Sequence, residues 1–308
     1  MNPDAAVFIA GHRGMVGSAL VRALRAAGFG NLALRERSEL DLTRQAQVEQ
    51  FFAEVRPAYV LVAAAKVGGI LANDSSPAEF LRDNLAIQTN IIDAAWRHGV
   101  AKLLFLGSSC VYPRLAAQPI TEDSLLTGPL ESTNEWYAVA KIAGIKMCEA
   151  YRRQYGFNAI SVMPTNLYGP EDNFDLASSH VLPALLRKFH AAAKSGADTV
   201  EVWGTGTPRR EFLHVDDLAD ACLFLMRKYD AAGWINIGWG RDLTIAELAH
   251  AIAGVVGFEG AIRFDTSKPD GTPRKLLDTS RLTALGWVPR IGLDAGLRST
   301  YDWYQRHW

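Results

Sequence analysis

Short apolar segments alternate with longer segments of helical periodicity through the first half of the chain, and this alternation constrains the fold more than any other feature. Five apolar segments are typical of buried strands, and they lie at residues 7–10, 31–35, 58–64, 102–107 and 159–163. The segments between them have helical spacing, and they lie at 15–27, 44–55, 81–98 and 136–155. Strands joined in this way by helices form a parallel sheet through right-handed crossovers. The sequence therefore predicts an α/β fold with a doubly wound parallel sheet, covered by helices on both faces.

The alternation loosens after about residue 164. The stretch PTNLYGPEDNFDLASS, at 164–179, is rich in Pro, Asn, Asp and Ser, and it predicts a long loop of the kind that is usually functional. Further helices are predicted at 181–193, 217–228 and 245–256, and further strands at TVEVW (199–203) and INIG (235–238). We expect residues 1–164 to form the core of one domain, and residues 165–308 to form mainly a smaller C-terminal lobe, interleaved with the last elements of the sheet.

Composition excludes several classes of partner. The 308 residues carry 32 Lys and Arg against 33 Asp and Glu, so no basic excess points to nucleic acid. The start, MNPDAAVFIAG, leads straight into a strand, and the most apolar window is interrupted by Lys66 and two glycines. The three cysteines, Cys110, Cys148 and Cys222, are odd in number and lack metal-site spacing. We expect a cytoplasmic protein with reduced thiols, no metal, no membrane partner and no nucleic-acid partner.

The segment GHRGMVG places three glycines directly after the first predicted strand and at the start of a helix. Gly11, Gly14 and Gly17 suit a tight turn, the approach of backbone to a pyrophosphate, and close packing of helix on sheet. The alternative is a glycine-rich turn with no ligand. Because the triplet lies at the first strand–helix junction of a βαβ unit, the sequence favours a dinucleotide site.

The end of the second predicted strand distinguishes NAD from NADP. An acidic residue there would bind a ribose 2′-hydroxyl, whereas arginine would bind a 2′-phosphate. The chain has Arg35, Glu36 and Arg37 at this point, with Arg13 inside the glycine segment. The arginines favour NADP(H), although Glu36 points the other way. Residues 1–164 are thus the predicted NADP-binding core, and the C-terminal lobe is predicted to bind the substrate.

Candidate chemical groups follow the fourth predicted strand and begin the next helix. LGSSCVYP, at 106–113, places Ser108 and Cys110 at the strand's end, where the alternative is a turn with a small apolar Cys. Tyr137 and Lys141 are four residues apart and lie on one helical face. A phenol titrates near pH 10, and a neighbouring ammonium favours its ionised form. Taken alone, this pair is a common helical spacing; together with the glycines and Ser108, it indicates acid–base chemistry.

The glycine spacing and the Ser108, Tyr137 and Lys141 set resemble the extended short-chain dehydrogenase/reductase family, which has a Rossmann fold. Within that family the chain resembles NADPH-dependent 3,5-epimerase/4-reductases that convert GDP-4-keto-6-deoxy-D-mannose to GDP-L-fucose. The resemblance runs from the first strand to the final helix, and the segments that carry it are GHRGMVGSA, AAAKVGGI, LGSSCVYP, YAVAKIAGIKMCE, VMPTNLYGPEDNF, SSHVLPALLRKF, VWGTGTPRREFLHVDD and SKPDGTPRKLLD.

The resemblance implies a role for each candidate group. Cys110 would be the base and His180 the acid that invert C3 and C5, with nearby positive charge from Lys141 or His180 favouring a thiolate. Ser108 and Tyr137 would bind the C4 oxygen, and Tyr137 would deliver a proton during reduction. Read alone, His180 is typical of a capping or packing residue at a helix start, where the helix dipole disfavours the imidazolium.

The resemblance also implies two binding sets. The cofactor set is Gly11, His12, Arg13, Gly14, Met15, Val16, Gly17, Arg37, Asp41, Leu42, Leu106, Gly107, Ser108, Lys141, Pro164, Thr165, Asn166, Leu167 and His180. The substrate set is Ser108, Cys110, Tyr137, Lys188, Trp203, Arg210, Asp270 and Lys275. The bland alternatives are solvated helix faces for the cations and core packing for Trp203.

Two rival functions remain at this point. One is a different nucleotide-sugar epimerase or dehydratase of the extended family, although such dehydratases typically carry Thr-Asp-Glu where this chain has the LGSSC segment. The other is a non-catalytic NADP-binding sensor, which would have lost Ser108, Tyr137 or Lys141. A homodimer is also expected, because apolar stripes at 85–95 and 138–150 could pair across a two-fold axis. Helices that only cover a sheet carry similar stripes.

Overall fold

A computed structural model describes residues 1–176, 178–268 and 270–308, without side-chain detail at 70, 71 and 74. The strands, in chain order, are β1 (Val7–Ala10), β2 (Leu32–Ala33), β3 (Tyr59–Val62), β4 (Lys102–Leu106), β5 (Ala159–Pro164), β6 (Asn166–Tyr168), β7 (Thr199–Trp203), β8 (Arg209–His214), β9 (Trp234–Ile237), β10 (Asp242–Thr244), β11 (Ala261–Asp265) and β12 (Arg274–Lys275). The helices are α1 (Met15–Ala26), α2 (Gln45–Val55), α3 (Ile70–Ser75), α4 (Pro77–Arg97), α5 (Glu135–Tyr155), α6 (Val181–Ser195), α7 (Val215–Lys228), α8 (Ile245–Val256), α9 (Ser280–Ala284) and α10 (Leu293–His307).

Six strands form a parallel central sheet in the order β2-β1-β3-β4-β5-β9. The predicted doubly wound α/β architecture is confirmed. The order reverses between β1 and β3, and ligands of such sheets bind beyond the carboxyl ends of the strands at this reversal. The second strand is shorter than predicted, because only Leu32 and Ala33 pair, and they pair with β1 alone. Residues 34–37 leave the sheet and are free to line its carboxyl edge.

Helices cover both faces of the sheet. The side chains of β1 alternate between the two resulting cores: Phe8 lies in the core beneath α2, α4 and α5, and Ile9 lies in the core beneath α1 and α7. A strand buried on both faces needs apolar residues at every position, and this explains the unbroken VFIA run. Helix α4 begins at Pro77, four residues before its predicted start at 81, since proline suits the first turn of a helix.

A second sheet lies in the C-terminal part of the chain, around β8. This strand pairs with β6 and β12 in parallel and with β10 in antiparallel fashion. It was missed from the sequence, because RREFLH begins with charged residues. β6 was also missed, since it lies inside the predicted loop at 164–179, of which Ala177 is outside the described residues. The pairing of β12 with β8 places Lys275 opposite Arg210.

A third apolar core joins α6, α8 and α10 to this part of the chain, with Phe174, Phe189 and Leu248 fully buried within it. Strands β7 and β11 form a separate parallel pair that borders the same core. Among the described residues, none of the helices combines the length and the apolar character that crossing a bilayer requires.

Candidate active site

The glycine segment forms a tight turn where the sheet order reverses. Gly11 has a φ of +83°, and a Cβ at this position would lie 2.7 Å from the backbone nitrogen of Ala64. A Cβ on Gly17 would lie 2.0 Å from the carbonyl oxygen of Gly11. The chain itself therefore requires glycine at both positions, to bring α1 close to the sheet.

Gly14 differs, because nothing in the described chain requires it to be glycine. Its φ is −78°, and the nearest atom to an added Cβ would be the Gly11 oxygen at 3.7 Å. It precedes α1, whose first turn has no acidic residue and whose N-terminus receives no side-chain cap. A small residue here leaves the amides of the helix start open, as a pyrophosphate site needs. The Nδ1 of His12 is buried there without a hydrogen-bond partner among the described residues.

The segment after β2 presents one arginine that has no hydrogen-bond or ion-pair partner among the described residues. Arg13 and Glu36 form an ion pair at 2.6 Å, so the acidic residue is neutralised by the glycine turn itself. The guanidinium of Arg35 lies 5.6 Å from the ring centre of Phe51. Arg37 is exposed and forms no hydrogen bond or ion pair with any residue that the structure describes. Of the two strand-end arginines, Arg37 is therefore the one available to a 2′-phosphate.

The remaining predicted cofactor residues lie along the same carboxyl edge of the sheet. The carboxylate of Asp41 accepts hydrogen bonds from the backbone and hydroxyl of Thr43, which lower its pKa. Beyond β5, Thr165 and Asn166 donate to the backbone oxygen of Glu211. The others lie at the start of α1 (Met15, Val16), after β2 (Leu42), at the end of β4 (Leu106, Gly107), at the end of β5 (Pro164) and in β6 (Leu167).

The thiol of Cys110 lies in a short turn that follows β4. The Ser108 oxygen accepts a hydrogen bond from the backbone nitrogen of Cys110 at 3.2 Å and so fixes the turn. Asn134 Nδ2 donates to the sulfur at 3.3 Å, and Lys275 Nζ donates to it at 3.4 Å. Burial would raise the pKa of Cys110, but the charge of Lys275 and the hydrogen bonds to the sulfur outweigh burial, so the pKa is lowered.

This geometry corrects the expected source of positive charge beside the thiol. The expectation named Lys141 or His180, whereas the ammonium that contacts the sulfur belongs to Lys275. The Nζ of Lys141 instead donates to the backbone oxygen of Leu106 at 2.8 Å. The Lys141 ammonium is therefore bonded to the end of β4.

Tyr137 and Lys141 lie on one face of α5, as their spacing predicts. The Lys141 Nζ is 5.8 Å from the Tyr137 ring centre, and burial lowers the pKa of Lys141 to about 8. The expected lowering of the tyrosine pKa is not found. Burial raises the pKa of Tyr137, and the charge of Cys110 adds to the increase, while a hydrogen bond from Ser108 opposes it. The phenol is therefore held in its neutral, proton-donating form.

His180 occupies the N-cap position of α6, but its side chain makes no capping hydrogen bond. The side chain therefore does not cap the helix, and the residue is exposed to solvent. Desolvation by the protein atoms around the imidazole lowers the pKa of His180, and the charge of Lys275 lowers it further. The charge of Lys275 thus acts on both predicted proton-transfer groups, Cys110 and His180.

The other predicted substrate residues form two groups. Arg210 is close enough to the thiol for their charges to interact. Burial lowers the pKa of Arg210, and the charges of Cys110 and Asp270 oppose that change. Farther out, the Lys188 ammonium lies 5.2 Å from the ring centre of Trp203, which is 62% exposed. The predicted core-packing alternative for Trp203 is therefore wrong. The carboxylate of Asp270 accepts hydrogen bonds from Thr205.

A model of the NAD dependent epimerase/dehydratase family matches residues 7–238. The chain belongs to this family. Among its relatives, GDP-L-fucose synthase 1 of Arabidopsis thaliana is 62% identical over 304 residues, which are 99% of this chain and 94% of that protein. GDP-L-fucose synthase of Escherichia coli (strain K12) is 58% identical over 307 residues, which are 97% of this chain and 96% of that protein.

Solved structures agree with this assignment. The GDP-mannoheptose C4 reductase MlghC of Campylobacter jejuni, solved with NADP bound, superposes with a TM-score of 0.93 at 41% identity, and the match covers 99% of both chains. The predicted family, the predicted class of NADP-dependent oxidoreductase and epimerase, and the predicted cofactor NADP(H) are confirmed.

Sequence reasoning missed one residue of this epimerase/dehydratase site. Asn134 contacts the thiol through Nδ2, and its Oδ1 is buried without a partner among the described residues. Its position three residues before Tyr137, at the start of α5, was the available signal. The thiol, Asn134 and Lys275 line one cleft, and the neutral phenol of Tyr137 lies within electrostatic reach of the sulfur. A thiol and a phenol placed in this way can remove, return and deliver protons.

Proposed function

We propose that the protein converts GDP-4-keto-6-deoxy-D-mannose to GDP-L-fucose by inverting C3 and C5 and then reducing C4. The observation that carries the proposal is the thiol of Cys110, which receives hydrogen bonds from Asn134 and Lys275 beside the Tyr137 and Lys141 pair. A reductase alone needs the phenol and the lysine but has no use for an activated thiol. The names of the two relatives given above agree with this product.

The epimerisations follow from the acidity of carbons next to a ketone. A C4 carbonyl acidifies the hydrogens on C3 and C5, because the resulting carbanion delocalises onto the C4 oxygen as an enolate. Inversion needs a base on one side of the ring and an acid on the other. Cys110, whose pKa is lowered, is the proposed base, and His180 is the proposed acid.

Ser108 and Tyr137 are the proposed donors to the C4 oxygen. Hydrogen bonds from these groups stabilise each enolate as its negative charge develops. The raised pKa of Tyr137 keeps the phenol protonated, so that the same group can deliver its proton when C4 is reduced. Lys141 holds its ammonium between the end of β4 and the tyrosine ring. One oxygen-binding site thereby serves both reactions.

The glycine turn and the edge of the sheet fit the cofactor. Bound NADPH supplies the hydride equivalent for C4. We assign its pyrophosphate to the turn around Gly14 and its 2′-phosphate to Arg37, with Asn166 and Lys141 toward the reacting end.

Cationic and aromatic side chains are the proposed site of the nucleotide. Arg210 and Lys188 carry the positive charge that a diphosphate requires, and the exposed ring of Trp203 offers a flat surface for stacking. Lys188 already touches that ring, so a stacked base would compete with a cation–π contact. Asp270 holds the loop that begins at Gly204 through its hydrogen bonds with Thr205. Its carboxylate also requires glycine at 204, because a Cβ there would lie 2.3 Å from it.

Solvent exchange tests the two halves of this function separately. The protein is incubated with NADPH and GDP-4-keto-6-deoxy-D-mannose in deuterated water, and the product is analysed by NMR and mass spectrometry. We expect deuterium at C3 and C5 together with oxidation of NADPH. Oxidation without exchange would remove the epimerase half and leave a C4 reductase.

Two variants separate the roles. Cys110→Ser should abolish exchange at the first inverted carbon and leave NADPH binding intact, since Cys110 is not one of the predicted cofactor residues. Tyr137→Phe should reduce the rate of C4 reduction by about 10²–10⁴-fold, the usual contribution of a positioned acid. Undiminished exchange in the first variant, or near-normal reduction in the second, would contradict the assignment concerned.

We also propose a homodimer that buries the outer faces of α4 and α5. These helices pack together on the sheet, and α5 leaves Trp136, Val139 and Tyr155 substantially exposed. A sheet-covering helix would not need such residues outside. Light scattering should give twice the chain mass for the native protein and the chain mass for Val139→Lys; a monomeric native protein would refute the dimer.

A further inference from the structure

Cys110 and Lys275 are 165 residues apart in the chain, yet their side chains are in direct contact. Asn134 makes the second hydrogen bond to the same sulfur. Lys275 and Asn134 belong to segments other than the turn that carries the thiol. The contact therefore depends on how the fold holds these segments together.

The segment that carries Lys275 is fixed along its length. Gln118 Oε1 accepts from the backbone nitrogen of Leu276 at 2.9 Å, and the backbone oxygen of Leu276 accepts from Ile120 at 2.8 Å. The next residue, Leu277, donates its backbone nitrogen to Glu211, a side chain with no exposed surface. These bonds hold the backbone directly after Lys275, so the lysine side chain starts from a fixed point from which its ammonium reaches the sulfur.

The turn that carries Cys110 is tied to the same framework through Asn236, which is fully buried. Asn236 Oδ1 accepts from the Tyr112 hydroxyl at 2.6 Å. Its Nδ2 donates to the backbone oxygens of Ile120 and Asp278, at 3.0 and 3.1 Å. One buried amide thus connects the cysteine turn with the segment that follows Lys275.

Charged and titratable groups face the thiol from several elements around it. Arg210 faces it from β8 and Tyr137 from α5, but neither is a hydrogen-bond partner of the sulfur among the described residues. Arg114, Glu131 and Arg274 line the same cleft, and Glu131 is paired with Arg114 at 3.3 Å. Within the part of the chain that the structure describes, the charged group in contact with the sulfur is that of Lys275.

We infer that Lys275 is the positioning residue that keeps Cys110 as a thiolate in the free enzyme, with Asn134 as its second donor. The inference deepens the proposed function and rests on it, since it explains how Cys110 becomes a base before the sugar binds. The thiol releases its proton to solvent, and the Lys275 side chain stays in contact with the sulfur, so the cleft holds a thiolate that can accept a proton from the sugar ring.

Thiol titration of the free enzyme tests this directly. The rate of alkylation by iodoacetamide is measured from pH 5 to 10 without cofactor or sugar, because the thiolate is the reacting form. Cys148 and Cys222 are buried with raised pKa values, and Cys110→Ser supplies the background that they contribute. The rate profile therefore reports the titration of Cys110.

Lys275→Met should move this profile to higher pH and lower the alkylation rate at pH 7 by about tenfold, the effect of losing one close opposite charge. Lys275→Arg should restore most of the native profile, since it keeps the charge. Asn134→Leu should cause a smaller move in the same direction. Lys146→Met, which removes an exposed cation on α5 that pairs with Glu149, is the matched control and should leave the profile unchanged.

An unchanged profile in Lys275→Met, with native thermal stability, would overturn the inference and leave Lys275 as a substrate contact alone. An equal shift in Lys146→Met would also overturn it, because net charge and not contact would then set the titration. Failure of the proposed function gives a different result: the native protein would show the low-pH thiolate but would not exchange deuterium into the GDP-linked sugar.

Discussion

The hydroxyl of Tyr112 donates a 2.6 Å hydrogen bond to the side-chain oxygen of Asn236, and both side chains are buried. Tyr112 lies two residues after Cys110, while Asn236 lies in β9, the last strand of the central sheet. Burial raises the pKa of Tyr112, so the phenol remains a donor throughout the physiological range. This bond joins the segment that follows Cys110 to the central sheet.

Tyr112→Phe should destabilise the protein by about 1–3 kcal/mol, because the variant leaves a buried amide oxygen without its donor. Urea denaturation followed by circular dichroism measures the change. The variant should also loosen the turn that carries Cys110, so that deuterium exchange slows more than NADPH binding weakens. Tyr229→Phe, which removes a solvent-exposed hydrogen bond from a phenol to the backbone oxygen of Ala232, is the control; equal losses in both variants would contradict the role of the Asn236 bond.

Gly14→Ala should fold normally yet bind NADPH about 10–100-fold more weakly. The added methyl group would meet nothing closer than 3.7 Å within the chain, but it would stand over the amides that face a pyrophosphate. Fluorescence titration with NADPH measures affinity, and thermal unfolding measures the fold. Gly30→Ala, where a Cβ meets nothing within 4 Å, is the control. If Gly14→Ala binds NADPH with native affinity, the pyrophosphate does not bind at the amides around Gly14.

Arg37→Ser should weaken NADPH binding by about 10–100-fold while NADH binding stays the same, since a charge-assisted contact to the 2′-phosphate is lost. Arg35→Ala provides the comparison, because its guanidinium is directed onto Phe51 and should matter less to cofactor choice. Both constants come from the same titration. If Arg35→Ala changes the preference for NADPH over NADH and Arg37→Ser does not, then Arg35 and not Arg37 binds the 2′-phosphate.

The sheet and its glycine turn could be predicted from sequence, because period and spacing are local signals. Gly11 and Gly17 are required by contacts within one strand–helix junction, and the Tyr137 and Lys141 spacing needs only a helix. What could not be predicted depends on pairing between distant segments. Lys275 reaches Cys110 only because β12 pairs with β8, a strand whose charged start hides it from a hydrophobicity pattern.

The direction of the Tyr137 pKa could not be predicted for a similar reason. A nearby ammonium favours the ionised phenol, but the depth of burial opposes it, and burial is a property of the complete fold. The same applies to Trp203, whose exposure depends on how β7 and β11 lie against the third core. Residue type and spacing identify candidates for a site, and the contacts between segments determine their chemistry.

Lys141→Met should stabilise the cofactor-free protein at pH 7 by about 1–2 kcal/mol, although it should abolish C4 reduction. Burial lowers the pKa of Lys141 from its ordinary value of 10.5 to about 8, so keeping it charged costs stability below pH 8. Between pH 8 and 10.5 the unfolded chain holds this proton and the folded chain releases it, so native stability rises with pH in that interval. The advantage of the variant should therefore shrink as pH rises.

Urea denaturation of both proteins without cofactor, at pH 7 and pH 10, measures this difference. We expect the free energy of unfolding to be higher for the variant than for the native protein at pH 7, and the difference to be smaller at pH 10. Lys146→Met controls for the loss of an exposed ammonium and should show no such dependence. If Lys141→Met is less stable than the native protein at both pH values, the 2.8 Å bond from Lys141 to the oxygen of Leu106 outweighs the cost of the buried charge. The lysine would then stabilise the end of β4 even without its ligands.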